Sequence, residues 1–206
     1  MYSALWRWPL CCGYMRVAIF EVCRRPEIPK ANTEAVVLSR CFERSGVAYD
    51  LHSNDGIWQN HASAVACVDR AHIRRALRDP AVTAVHFATH GNDAGLVLHW
   101  DGPLNERVAS DTLTGSEIRT TDGFRGRLVV SGACGSAHLA SDFLAAGATA
   151  FVAPDVAIPW KNLGLLFESF YTSLRDGMNA EDALTSAVSG RDELASYRVY
   201  TNPMTG

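Results

Sequence analysis

The feature that most constrains this chain is the alternation of short apolar segments with longer segments of helical periodicity. A strand followed by a helix and a further strand favours parallel pairing, with helices covering both faces of the sheet. The sequence therefore predicts an α/β fold with a mostly parallel central sheet flanked by helices. The predicted strands are 15–22, 47–52, 81–91, 127–135 and 148–155, and the predicted helices are 30–46, 62–79, 138–147, 161–176 and 179–195.

One long segment, from Asn92 to Gly126, interrupts this alternation. It is rich in Gly, Thr and Asp and contains a single short apolar run, GLVLHW at 95–100, followed by the turn sequence Asp101-Gly102-Pro103. We expect a β-hairpin and loop excursion here, with a short helix near 110–117.

Composition limits the class of protein. At 206 residues and 48% hydrophobic content the chain is long enough for one globular domain with its own core. Nineteen basic residues against 22 acidic ones give a net charge of −3, which argues against a nucleic-acid binder. The six cysteines show no CxxC pair and no metal-ligand spacing, so we expect reduced thiols and a cytoplasmic protein.

The amino-terminal segment 1–14 lacks the apolar run of a signal peptide, and we interpret it as an extension or a misassigned start at Met15. No stretch approaches the roughly 20 apolar residues needed to cross a bilayer, so we expect no membrane insertion. Residues 15–200 are predicted to form the domain, and 201–206 a short tail.

Two predicted strands end in chemically distinctive residues. The third ends in Ala88-Thr89-His90-Gly91, and the fourth ends in Ser131-Gly132-Ala133-Cys134-Gly135. Ligands in open α/β sheets bind at the carboxyl ends of parallel strands. If these strands are neighbours, an imidazole and a thiol face each other there, which suits a base and a nucleophile. From spacing alone, a rim histidine and an inert buried cysteine remain the alternative.

Several segments together resemble a known family. The runs VHFATHG, RLVVSGACGSA, AAGATAFVAP and FESFYTSLRDGMNAEDALTSAV, between Val82 and Val188, resemble the CHAT branch of the caspase-like cysteine peptidases. The resemblance implies a caspase-like three-layer sandwich. It also implies a cysteine endopeptidase, of bacterial type, that cleaves a protein substrate through a thioester.

The resemblance assigns roles to individual residues. Cys134 corresponds to the nucleophile and His90 to the general base or acid, while the backbone amides of Gly91 and Cys134 correspond to the oxyanion hole. No cofactor or metal is implied. Because no receptor or repeat region is visible, an activating partner chain is expected.

The chain departs from the family pattern near the presumed cleft. Gly135-Ser136 replaces the usual pair after the cysteine, and Pro154-Asp155 stands where a Trp is common, with Trp160 following later. Asp155 is a candidate to bind a basic substrate residue, and Asp93 is near enough to His90 to touch substrate. A turn or cap role is the alternative for both.

His86 lies four residues before His90, so an extended strand would point both rings to one face. The other histidines offer no partner motif, and we expect His86 to pack under the sheet rather than bind metal. The functional alternative to a peptidase is an inactive interaction or scaffold domain that keeps the fold, with Cys134 as a packing residue. A third option, acyl transfer by the same pair, remains open.

Overall fold

The strands of this protein form one large sheet and one small one. The computed structural model describes residues 15–24, 34–103 and 108–202, so the predictions for 1–14 and for the end of the 201–206 tail fall outside the described residues. Within these ranges the strands are β1 (Arg16–Glu21), β2 (Ala48–Ser53), β3 (Ala84–Ala88), β4 (Gly91–Asn92), β5 (Gly95–Asp101), β6 (Val108–Thr114), β7 (Leu128–Ser131), β8 (Ala150–Pro154) and β9 (Tyr197–Thr201).

The helices lie between these strands. They are α1 (Glu34–Ser45), α2 (Arg70–Arg78), α3 (Gly115–Thr120), α4 (Ala140–Ala145), α5 (Leu163–Arg175) and α6 (Ala180–Val188). Short 3₁₀ turns precede α4 and α5 and follow α6, at Ser136–Leu139, Trp160–Asn162 and Asp192–Leu194.

The large sheet has the order β2-β1-β3-β7-β8-β9. Its first five strands are parallel, and only β9 runs antiparallel, against β8. The predicted α/β class and the mostly parallel sheet are confirmed. β9 was not predicted; only Tyr197 of its sequence YRVYT is buried, and the other residues are partly or fully exposed, as an edge strand allows.

Two apolar clusters lie on opposite faces of the large sheet. Residues 17 and 19 of β1 pack with α1, α5 and α6, whereas residues 18 and 20 pack with α2, α3 and α4. The alternation follows from the pleat, which points successive side chains to opposite faces. Because both faces are covered, β3, β7 and β8 are buried along their whole length, which explains their continuous apolar sequences.

The excursion between β3 and β7 forms the small antiparallel sheet, in the order β4-β5-β6. The predicted hairpin is confirmed, and the short helix predicted near 110–117 is present but begins later, at Gly115. Residues 108–114 pair with β5, and the helix begins only after Thr114. Thr114 and Glu117 form a reciprocal capping box, which fixes the helix start at that position.

Two other helices are shorter than the sequence predicts. The helix predicted at 62–79 begins at Arg70, because the Asp69 side chain caps it by accepting from the His72 N–H. The helix predicted at 179–195 ends at Val188, before Gly190, which has a positive φ of 72° that favours glycine. No helix in the described ranges is long and apolar enough to cross a bilayer.

Ion pairs tie the small sheet to α2. The Arg70 guanidinium contacts Glu117 and Asp111 at 2.7 Å each and donates to the Thr112 carbonyl at 3.0 Å. The Arg70 hydrogen bond lowers the pKa of Glu117 from 4.5 to about 2, against the opposing effect of burial.

We expect Glu117→Gln to lower the free energy of unfolding by no more than about 1 kcal/mol above pH 5, since the pair is partly exposed. A carboxyl with a depressed folded-state pKa stabilises the fold above its unfolded pKa, and that stability is lost as the pH falls from about 4.5 toward 2. Urea unfolding across this range should show the wild type and the variant converging. Glu181→Gln, at an exposed site, is the control; parallel curves for Glu117→Gln would contradict the prediction.

Candidate active site

The segments that follow β3 and β7 leave the large sheet at the same edge. These strands are parallel neighbours, with Ala84 opposite Leu128 and Phe87 opposite Ser131. The Gly132 N–H donates to the Phe87 carbonyl at 2.8 Å, which extends the pairing past the end of β7. His90 and Cys134 therefore follow adjacent strands in the centre of the sheet, as a shared site at the sheet edge requires.

The small sheet holds the segment that carries His90. The Thr89 hydroxyl donates to the Val97 carbonyl at 2.5 Å, and the Val97 N–H donates to the His90 carbonyl at 2.9 Å. The exposed His90 ring stands edge-on to Trp100, with 5.3 Å between ring centroids. The backbone of Val97 in β5 thus holds the Thr89 side chain and the His90 carbonyl.

Cys134 lies in a turn that hydrogen bonds of two serine side chains stabilise. The buried Ser136 hydroxyl lies 2.8 Å from both the Ser131 hydroxyl and the Ala133 carbonyl, which closes the backbone between β7 and the 3₁₀ turn. Gly135 has a φ of 60°, a left-handed conformation that favours glycine. Cys134 consequently lies at the tip of the turn and is half-buried.

The thiol of Cys134 faces the segment after β8. The Ile158 N–H donates to Sγ at 3.4 Å, and the thiol lies 3.7 Å from the Ile158 carbonyl oxygen. The Gly135 N–H donates to the Val156 carbonyl at 2.9 Å and anchors the same segment. An N–H group that points at sulfur stabilises negative charge there.

His90 and Cys134 line one cavity of about 310 Å³. A larger cavity of about 630 Å³ lies beside edge strand β2, and none of the predicted site residues line it. The smaller cavity combines apolar walls with two carboxylates. Its lining residues are Glu21, Val22, Cys23, Glu34, Ala88, Thr89, His90, Gly132, Cys134, Ile158, Trp160 and Leu163.

The backbone of Gly91 lies directly against Cys134. A Cβ atom at position 91 would be 2.3 Å from the Cys134 carbonyl oxygen and 3.3 Å from its carbon. The segment after His90 therefore approaches the nucleophile segment this closely only because residue 91 has no side chain. The Cys134 backbone N–H donates to no acceptor among the described residues.

A buried polar chain that the sequence did not predict lies beneath the cavity. His86 is fully buried, with Nε2 2.5 Å from Glu34 Oε1 and Nδ1 3.0 Å from the Tyr171 hydroxyl. Burial raises the pKa of Tyr171 well above its ordinary value, and the Glu34 charge adds to the effect. The packed position expected for His86 agrees with this geometry, and because β3 ends at Ala88, the strand pleat does not extend to His90.

The two predicted substrate carboxylates lie outside the cavity lining. Asp155 is exposed after β8; its N–H donates to the Ser196 carbonyl at 3.3 Å, and its charge contributes to the raised pKa of Tyr200. Asp93 is exposed in the turn between β4 and β5. Substrate contact by either residue stays a prediction.

Three buried side chains of types that can bind a metal ion lie close together. Ligand atoms of Glu21, Cys23 and Asp55 lie within 4.8 Å of one another. The Cys23 thiol donates to Asp55 at 3.2 Å, and Glu21 Oε2 accepts from Ser53 and from Trp58. These hydrogen bonds account for the cluster as packed polar residues. The described cysteines 23, 41, 67 and 134 are all free thiols.

The family model for the CHAT domain matches residues 17–196, which is most of the chain. The protein belongs to the CHAT domain family. No curated protein matches its sequence.

Two solved structures are similar to the fold. The complex of Porphyromonas gingivalis RgpB pro- and mature domains gives a TM-score of 0.58 at 10% identity, covering 96% of this chain and 48% of that chain. The Arg specific cysteine proteinase gingipain R (RGPB) gives a TM-score of 0.55 at 12% identity, covering 96% and 47%. The chain thus spans about half the length of these structures, and the likeness identifies its fold as caspase-like.

Proposed function

We propose that this CHAT domain is a cysteine endopeptidase, with Cys134 as nucleophile and His90 as general base and acid. The observation that carries the proposal is that these two side chains, which follow neighbouring central strands, line one cavity. Membership of a family with a caspase-like cysteine peptidase fold supports the same chemistry. The domain is taken as residues 15–200, and its substrate is a protein.

The reaction follows from the two side chains. His90 takes the thiol proton, and the Cys134 thiolate attacks the scissile carbonyl carbon. The tetrahedral intermediate collapses as His90 passes the proton to the leaving amine, which leaves a thioester on Cys134. Water, deprotonated by His90, then releases the acid and restores the thiol.

The backbone around the cavity supports a role in stabilising the oxyanion. The free N–H of Cys134 is a donor for the developing negative charge, and the backbone of Gly91 is the second candidate. Trp100 packs edge-on against His90 and restricts its ring. No third carboxylate is required in this scheme.

We also propose that an activating partner chain regulates the domain. A matching structure is a complex of a pro-domain with a mature domain, and this chain covers under half of it. Ile158 contacts the thiol and Val156 accepts from the Gly135 N–H, so segment 155–159 is the part of the site whose position we expect a partner to control.

Alkylation kinetics distinguish the peptidase from an inactive scaffold. Iodoacetamide at neutral pH should label Cys134 at least about tenfold faster than the half-buried Cys67, and His90→Ala should remove that excess. Peptide mapping by mass spectrometry measures both rates in one sample. A Cys134 that reacts no faster than Cys67 would favour the scaffold. Product exchange with an added amine would instead indicate acyl transfer.

A further inference from the structure

Strand β2 forms an open edge of the large sheet. Among the described strands only β1 pairs with it, and its other side is met by a short segment at Ser53 alone. There the Ser53 N–H donates to the Ser63 carbonyl at 3.0 Å, and the Val65 N–H donates to the Ser53 carbonyl at 2.9 Å. The end of this edge therefore already accepts an extended segment as a parallel neighbour.

The bonds of Ser53 show which backbone groups of β2 are open. The N–H and C=O groups of successive strand residues point to alternate sides of the strand. Tyr49 and Leu51 alternate with Ser53 in this way, so their backbone groups also point away from β1. On that side neither residue bonds to any segment in the described part of the chain. Two donors and two acceptors are thus available to a further strand.

The cavity of about 630 Å³ lies along this open edge. Residues 49–52 of β2 line it, together with residues 61–63 and with Arg75 and Ala76 of α2. Because the segment around Ser63 already occupies the edge at Ser53, an added strand would run opposite 48–52. A cavity of this volume is within the range of clefts that bind ligands.

The pairing with β1 determines which side chains of β2 face α2. Asp50 and His52 lie opposite residues 18 and 20 of β1, which pack with α2. Residues that lie opposite each other in neighbouring strands project to the same face of the sheet. A residue of an added strand that lies opposite Asp50 or His52 would therefore project toward α2.

The α2 side of the cavity carries a positive charge that no described carboxylate pairs. Asp50 and Asp79 both contact Arg16, at 2.8 and 3.5 Å, so these two carboxylates already have a partner. Arg75 of α2 is exposed and forms no ion pair with the residues that the structure describes. A carboxylate on an added strand would form a charge-assisted hydrogen bond with its guanidinium.

We propose that the β2 edge is a docking site for an extended segment of another protein chain, which adds to the sheet opposite 48–52 and pairs an acidic side chain with Arg75. A second copy of this chain is a poorer occupant. Two β2 edges joined in one antiparallel sheet would bring the arginines of both α2 helices to the same face, where they repel. The site shares no lining residue with the cavity that holds Cys134, so this inference goes beyond the proposed function and does not depend on it.

Two peptides test the charge recognition. Fluorescein-labelled Thr-Val-Glu-Val-Thr and the same peptide with Gln for Glu are titrated with the full chain, and fluorescence anisotropy gives each Kd. We expect the Glu peptide to bind about threefold more tightly, as for an exposed ion pair. Arg75→Gln should remove this difference and leave the Kd of the Gln peptide unchanged. Arg74→Gln, on the same helix but outside the cavity lining, is the matched control and should retain it.

Backbone methylation tests whether the peptide adds to the sheet. N-methyl groups on one alternating set of peptide amides should weaken binding at least about tenfold, and the same groups on the other set should have little effect, because only one set faces β2. Cys134→Ala should bind the peptide as the wild type does. The docking site is overturned if neither peptide binds, if both methylated sets bind like the parent peptide, or if Cys134→Ala alone loses binding. A dimer in sedimentation that the peptide dissociates would assign the edge to a second copy and overturn it equally.

Discussion

Replacing Cys134 by alanine should abolish hydrolysis, with a loss of at least about 10³-fold in kcat/KM, because it removes the proposed nucleophile, which lines the cavity with His90. Cys23 also lines the cavity but is buried and hydrogen-bonded to Asp55, away from the segment after β7. The substitution removes one half-buried sulfur, so the free energy of unfolding should change by no more than about 1 kcal/mol.

A proteome digest analysed for new amino termini measures this effect without a known substrate. Termini that the wild type produces should be missing with Cys134→Ala and present with Cys67→Ala, which removes a thiol of similar exposure outside the cavity. Identical sets of termini from the wild type and Cys134→Ala would refute the assignment of the nucleophile.

Gly91→Ala should be nearly as damaging. The new Cβ would lie 2.3 Å from the Cys134 carbonyl oxygen, so the two segments have to separate. A displacement of the nucleophile by a few tenths of an ångström or more should lower kcat for every substrate by about 10²-fold. The overpacking should also lower the free energy of unfolding by about 1–3 kcal/mol. Since Gly91 has no positive φ, these effects would come from the contact and not from backbone strain.

Gly132→Ala is the matched comparison, because its Cβ would meet the Glu34 carboxylate instead of backbone. A side-chain carboxylate can shift more easily than backbone, so we expect Gly132→Ala to lower kcat less than Gly91→Ala does. Steady-state kinetics on one peptide substrate separate these cases. If Gly91→Ala retains more than about a third of wild-type kcat, the close approach has no catalytic role.

The central strands could be inferred, although not their order, because their apolar sequences indicate burial. β3, β7 and β8 are covered on both faces, and each appears as a continuous apolar segment. The position of His90 and Cys134 at a common edge follows from the same pattern, since both residues directly follow such strands. β9 could not be predicted in this way, because a half-exposed edge strand with Arg198 and two tyrosines has no comparable apolar sequence.

The cavity wall could not be inferred because its contacts join distant parts of the chain. Glu34 precedes Gly132 by about a hundred residues, and a glutamate in the first turn of a helix normally indicates only a favourable interaction with the helix dipole. Ile158 contacts the thiol through its backbone N–H. Almost any residue could make this contact, so the amino-acid type at position 158 does not predict it. The charge of Asp155, by contrast, suggests a binding role, although its N–H donates to Ser196, directly before β9.

The order of the large sheet limits how the cavity wall can change by mutation. β3 and β7 lie in the middle of the sheet, with partners on both sides, and Glu34 at the start of α1 is hydrogen-bonded to the buried His86 of β3. A change at residue 34 therefore removes a hydrogen-bond partner from a central strand as well as a carboxylate from the cavity wall. The shape of the cavity is thus coupled to the stability of the strand that leads to His90.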